Sequence, residues 1–90
     1  MKFTVSWTAQ AEQDLLRYWL GARDRISIDE AIVAIEHELA TNPMNAGESR
    51  VGNYRVMIVE PLAVVFSVRP GDRLVKVVRI TKRTQTRRPN

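Results

Sequence analysis

Residues 54–81 read YRVMIVEPLAVVFSVRPGDRLVKVVRIT, which contains three runs rich in valine, isoleucine and leucine. Breaks at Pro61 and at Pro70-Gly71-Asp72 separate these runs, as turns separate strands. The middle run is apolar on both of its faces, which is typical of a central strand. The pattern therefore predicts three consecutive antiparallel strands: Tyr54–Glu60, Leu62–Arg69 and Leu74–Thr81.

The preceding half of the chain predicts one more strand and two helices. Apolar and polar side chains alternate from Lys2 to Trp7, which is the period of a half-buried strand. Helical spacing follows from Ala9 to about Ala22, with Thr8 in position to be its N-cap. A second helix is predicted to begin at Ser27, which starts a capping-box pattern, and to end before Pro43.

The predicted element order is β-α-α-β-β-β, and the predicted fold class is α+β. We expect a four-stranded antiparallel sheet with the N-terminal helical hairpin packed on one face. A chain of 90 residues suffices for only one compact domain, because nearly every element must share one core. Residues 1–83 are predicted to form this domain, and residues 84–90 a basic, flexible C-terminal tail.

The composition excludes several kinds of site. The chain has no cysteine and one histidine, which excludes thiol catalysis, thiolate zinc sites and multi-histidine metal sites. That histidine, His37, falls on the solvated face of the second predicted helix. We therefore predict no metal and no cofactor. No apolar run resembles a membrane span or a signal peptide, so we expect a cytoplasmic protein without a membrane partner.

Charge is distributed unevenly along the chain. Residues 1–49 carry four basic and eight acidic side chains, a net charge of −4, whereas residues 50–90 carry ten basic and two acidic ones, a net charge of +8. Five of these cations lie in the last twelve residues. Such a block favours binding to an anion, either a nucleic acid, an acidic partner segment or an anionic surface. A solubilising tail is the simpler alternative.

Cations near the predicted strand ends are the best candidates for chemistry. Because strand ends meet in an antiparallel sheet, we expect Arg55 and the Arg79–Arg83 segment to share one rim. Arginine can stabilise charge on a phosphate during ribonuclease chemistry, but its pKa, above about 12, makes it a poor acid or base. Lys82 or Tyr54 could transfer a proton only with a strongly depressed pKa. Binding of an acidic partner helix without any chemistry is an equally good explanation.

Several motifs in order resemble one family. They are Phe3–Thr8, Ala11–Leu15, Gly52-Asn53-Tyr54-Arg55 and a valine-rich last strand ending at Lys82-Arg83. Over about residues 2–83 the chain resembles the RelE/ParE superfamily of toxins from bacterial type II toxin–antitoxin systems. The resemblance implies a growth-arresting toxin whose cognate antitoxin lays a C-terminal segment across it. A heterotetramer is one expected form of this toxin–antitoxin complex.

The resemblance implies two different targets. RelE-like toxins cut messenger RNA on the ribosome without a metal, whereas ParE-like toxins inhibit DNA gyrase and are not nucleases. Our first hypothesis is the ribosome-associated endoribonuclease. The alternatives are a gyrase inhibitor without nuclease activity and a weakly toxic antitoxin-binding module.

Residues of the RelE-type site carry over only in part. The two catalytic arginines correspond to Arg55 and Arg83, whereas Ala46, Glu48 and Pro89 stand where the family has a lysine pair and a tyrosine. This loss of proton-transfer groups leaves the enzymatic activity open. The remaining predicted contacts are Arg50, Tyr54, Arg79 and Lys82 for RNA or phosphate, and Arg87 and Arg88 for the antitoxin.

Overall fold

The computed structural model describes residues 2–83, which form five strands, two α-helices and two short 3-10 turns. The strands are β1 (Thr4–Trp7), β2 (Glu48–Ser49), β3 (Tyr54–Val59), β4 (Leu62–Arg69) and β5 (Leu74–Lys82). The helices are α1 (Ala9–Leu20) and α2 (Arg25–Thr41). The three strands predicted from the apolar runs are therefore present to within a residue at each end.

The sheet is mixed and five-stranded, so the predicted four-stranded antiparallel sheet is wrong. Its order is β1-β5-β4-β3-β2, and β1 runs parallel to β5 while the other pairs are antiparallel. Alternation of apolar residues fixes the two faces of a strand, but it does not fix the neighbour or the direction of that strand. The strand that was not predicted is β2, which is only two exposed residues long and therefore carries no apolar signal.

Both helices begin at side-chain caps. The Thr8 hydroxyl accepts a hydrogen bond from the Ala11 amide at 3.1 Å, which confirms the predicted N-cap. Helix α2 begins at Arg25, before the predicted Ser27, because the Asp24 carboxylate accepts bonds from the Ser27 amide at 3.1 Å and from its hydroxyl at 2.6 Å. Neither helix in residues 2–83 combines the length and apolarity needed to cross a bilayer.

The core lies between the helical hairpin and one face of the sheet. Helix α2 buries a stripe of residues three or four positions apart, made of Ile28, Ala31, Ile35 and Leu39. Strand β4 supplies Leu62, Val64 and Phe66, all fully buried, as expected for a central strand. The opposite face of the sheet stays accessible at Tyr54 and Ile58, each of which is 47% exposed.

Candidate functional site

The side chain of Arg55 binds the loop that precedes β3. Its Nε donates to the Ala46 carbonyl at 2.9 Å, and its two terminal nitrogens donate to the Ser49 hydroxyl at 3.1 Å and to the Gly47 carbonyl at 3.2 Å. We call Arg55 with residues 46–49 the loop clamp. The predicted catalytic arginine is thus held by its own chain, with three of its five N–H groups used.

Glycine at position 47 allows the loop to approach β3 this closely. Gly47 has a φ of +65°, in the left-handed region that side chains rarely adopt. A β-carbon at this position would also collide with the backbone carbonyl of Val56. Gly47 therefore permits the backbone course that brings two loop carbonyls to the Arg55 guanidinium.

We predict that Arg55→Ala lowers the free energy of unfolding by about 1–2 kcal/mol, because the loop clamp contains three hydrogen bonds from one charged group. Urea unfolding followed by circular dichroism measures this loss. Arg50→Ala is the matched control, because the exposed Arg50 side chain contacts only neighbours in sequence, the Glu48 carboxylate and the Ser49 carbonyl, each at 3.2 Å. For this control we expect a change under about 0.5 kcal/mol. Equal losses in the two variants would contradict the loop clamp.

Arg79 forms an ion pair with a buried aspartate. The Asp14 carboxylate is fully buried and accepts from Arg79 Nε at 2.8 Å, from the Ile80 amide at 3.0 Å and from the Gln10 side chain at 3.0 Å. Strand β1 ends opposite Val77, so Asp14 supplies the acceptor that the edge of β5 lacks beyond that point. Arg79 is therefore a structural partner of α1 as well as a predicted phosphate ligand.

A bulge in β5 changes the predicted phase of Arg79. Val77 pairs with Phe66 and Arg79 pairs with Val65, so Val78 is an extra residue. Regular alternation along the strand would put Arg79 on the same face as Val77, but the bulge turns it to the other face. The burial of Asp14 follows from its place three residues after the buried Ala11, on the same side of α1.

The Asp14 carboxylate makes the stability of the protein sensitive to acid. Burial alone would raise the pKa of Asp14, but the hydrogen bonds from Arg79, Ile80 and Gln10 outweigh it and lower the pKa from 3.8 to about 2. The carboxylate's stabilising contribution is therefore complete above about pH 5 and lost as the pH falls from about 4 through 2. Thermal melts at pH 5, 3 and 2 should show a falling midpoint, and Asp14→Asn should flatten that fall.

Arg83 and Lys82 lie at the other end of the sheet from Arg55. Arg83 Nε pairs with the Glu60 carboxylate at 3.2 Å, and its amide donates to the Pro61 carbonyl at 2.7 Å. Glu60 lies five positions after Arg55 along extended chain, a span of about 17 Å. The expected single rim that joins Arg55 to the Arg79–Arg83 segment is therefore not formed.

One accessible surface does bring polar and cationic side chains together. On the face of the sheet away from the helices, Tyr54 pairs with Ser67 and Ser67 pairs with Lys76, which makes one row across three strands. The next row joins Val56, Val65 and Arg79. We call this surface, with Ile58, the open face. Sequence reasoning did not select Lys76 as a candidate. Its signal is its position between Val75 and Val77, which are fully buried on the opposite face.

The remaining predicted contacts are dispersed. Arg50 lies in the exposed segment after β2 and pairs with Glu48, and the cavity beside Lys82 faces the turn between α1 and α2. Arg87 and Arg88 lie outside the described residues. Within residues 2–83, no group of three or more histidine or acidic side chains is placed to bind a metal ion.

Comparison with known families identifies a match over most of the chain. The family model described as ParE toxin of type II toxin-antitoxin system, parDE, matches residues 5–87. No curated protein matches the sequence.

Solved structures share the fold at low sequence identity. The RelBE2 toxin–antitoxin complex from Mycobacterium tuberculosis contains a chain with a TM-score of 0.77 and 17% identity, over 94% of this chain and 95% of that one. The chromosomal ParDE system from P. aeruginosa gives 0.68 and 23%, over 91% and 97%. The isolated RelE toxin of E. coli gives 0.63 and 15%, over 93% and 87%.

Proposed function

The chain belongs to the ParE toxin family of type II toxin–antitoxin systems, and from that premise we propose that it inhibits DNA gyrase by binding, without cutting RNA. An antitoxin is the partner that neutralises it. The observation that carries this proposal is the loop clamp: Arg55, the first of two candidate catalytic arginines, is bound to its own loop and is far from Arg83.

Among the described residues, the cavity beside Arg55 has few groups that could transfer a proton. The cavity beside Arg55 has a volume of about 330 Å³ and includes no lysine, histidine, aspartate or glutamate in its lining. Cleavage of RNA by the ribose 2′-hydroxyl needs a base for that hydroxyl and an acid for the leaving oxygen. This cavity offers one guanidinium and the Tyr54 hydroxyl, so it supports charge stabilisation better than a complete reaction.

The open face supplies what a binding toxin needs. It combines the exposed Tyr54 and Ile58 with the exposed Lys76, and tyrosine is among the residues enriched at protein interfaces. A rigid sheet holds these side chains in a fixed register. We therefore propose that gyrase contacts the open face.

The proposal can be tested in cells. Induction of the chain should relax a reporter plasmid before translation falls, because gyrase maintains negative supercoiling. Lys76→Glu should weaken this effect about tenfold, whereas Arg17→Glu, an exposed cation on α1, should leave it unchanged. Growth arrest with normal plasmid topology would contradict the proposal.

Ribosome-dependent mRNA cleavage is the second candidate function. The observation that favours it is the Tyr54 hydroxyl, which borders the same cavity as Arg55 and could contact a phosphate there. Primer extension on ribosome-bound message should then show new 5′ ends, and Tyr54→Phe should reduce them. Intact message during growth arrest would remove this candidate.

A further inference from the structure

A second cavity lies at the end of the sheet where β5 finishes, between the turn that joins the two helices and the turn that joins β3 to β4. It has a volume of about 540 Å³, and we call it the turn cavity. The side chains that line it are Ala22, Arg23, Asp24, Ser27 and Ile28 from the helices, and Glu60, Pro61 and Lys82 from the sheet. None of these residues belongs to the loop clamp or to the open face.

Both carboxylates of the turn cavity have partners within the chain. Asp24 caps α2 and accepts from the Ser27 amide at 3.1 Å and from the Ser27 hydroxyl at 2.6 Å. Glu60 pairs with Arg83 Nε at 3.2 Å. Within residues 2–83, neither carboxylate therefore forms an ion pair with a cation that lines the cavity.

The two cations of the turn cavity are Arg23 and Lys82, which stand on opposite walls. Both residues are exposed, and neither side chain forms an ion pair with any residue in the described part of the chain. Arginine binds phosphate through its planar fork of N–H groups, and lysine binds it as a point charge. Two such groups that converge on one cavity favour an anionic ligand.

We propose that the turn cavity binds the phosphate backbone of duplex DNA, with Arg23 and Lys82 contacting it from either side. The cations continue beyond the cavity, because Arg83 follows Lys82 and the sequence has no acidic residue after Asp72. A small phosphate compound would need only the two cations of the cavity, whereas a longer basic run suits a repeated charge.

The choice of DNA rests on the proposed function. Gyrase acts on DNA, so a toxin that binds gyrase through its open face comes close to that duplex. The open face and the turn cavity are made of different residues. The two contacts can therefore be tested separately.

The test uses the purified full chain without gyrase and a fluorescein-labelled duplex about two helical turns long. Fluorescence anisotropy should show binding that weakens as salt is added. Arg23→Gln and Lys82→Gln should each weaken it roughly fivefold and make the slope of log affinity against log salt shallower by about 0.9, because one phosphate contact fewer releases fewer counterions. Circular dichroism should show an unchanged fold, since both side chains are exposed.

Arg73→Gln and Lys2→Gln are the matched controls, because they remove the same charges at the other end of the sheet. Arg73 precedes β5, and Thr4, two residues after Lys2, pairs with Leu74. Strand β5 is nine residues long, so these controls lie about 30 Å from Lys82, or about three Debye lengths at 0.1 M salt. Their affinities should stay within about twofold of the parent. Equal losses in the test and control variants would overturn the proposal.

Other anions give different results in the same assay. If polyglutamate binds as tightly as the duplex and depends equally on Arg23 and Lys82, the turn cavity takes an acidic protein segment and the proposal is wrong. If ATP binds there and the duplex does not, the ligand is a free phosphate compound and the proposal is again wrong. Absence of DNA binding with gyrase inhibition intact removes this inference only. DNA binding through the turn cavity with unimpaired gyrase supports the inference and removes the proposed target.

Discussion

Asp14→Ala is expected to lower the free energy of unfolding by about 2–3 kcal/mol. The substitution removes a buried carboxylate that accepts three hydrogen bonds, one of them from Arg79 at 2.8 Å, and leaves the buried Ile80 amide without an acceptor. In a domain of this size the loss corresponds to a melting midpoint roughly 10–20 °C lower. Differential scanning calorimetry at pH 7 measures it.

Asp72→Ala is the matched control for this prediction. Asp72 is an exposed aspartate in the turn before β5, and substitutions at such surface positions usually change stability by less than about 0.5 kcal/mol. If both variants melt within a degree or two of the parent, Asp14 does not hold α1 to the edge of β5.

Gly47→Ala is expected to lower the free energy of unfolding by about 2–4 kcal/mol. A left-handed alanine is strained by about 1–2 kcal/mol, and the collision of its β-carbon with the Val56 carbonyl adds the cost of overpacking. Because the loop must move away from β3, the hydrogen bonds of Arg55 to residues 46–49 should be lost as well. Urea unfolding gives the energy, and hydrogen exchange at residues 46–49 reports the opening of the loop.

Gly52→Ala separates the two causes of that loss. Gly52 also has a positive φ, +73°, but a β-carbon there would meet no atom within 4 Å. It should therefore show the backbone strain alone, about 1–2 kcal/mol. A loss in Gly47→Ala no greater than that in Gly52→Ala would mean that the loop does not depend on its close approach to β3.

Local patterns predicted the elements of the fold well. The apolar run between Pro61 and Pro70 predicted β4 with its observed ends, and Thr8 was predicted as the N-cap of α1. These predictions succeed because they depend on side chains that are close in sequence and share one surface. The predicted direction of β1 was wrong because that direction depends on its partner strand, β5, which lies some seventy residues away in the sequence.

The candidate site was harder to predict. Arg55 was predicted to be catalytic, and that role stays a prediction. Its acceptors are mainly the backbone carbonyls of Ala46 and Gly47, which no pattern of side chains reveals. Arg79 was read as a free cation because the bulge at Val78 and the burial of Asp14 are both tertiary effects.

The most direct test of the central claim is supercoiling of relaxed plasmid by purified DNA gyrase, titrated with the full chain, beside primer extension on ribosome-bound message at the same protein concentrations. A binding toxin whose Arg55 serves its own loop predicts dose-dependent loss of supercoiling and intact message. Unimpaired supercoiling together with new 5′ ends in the message would contradict it.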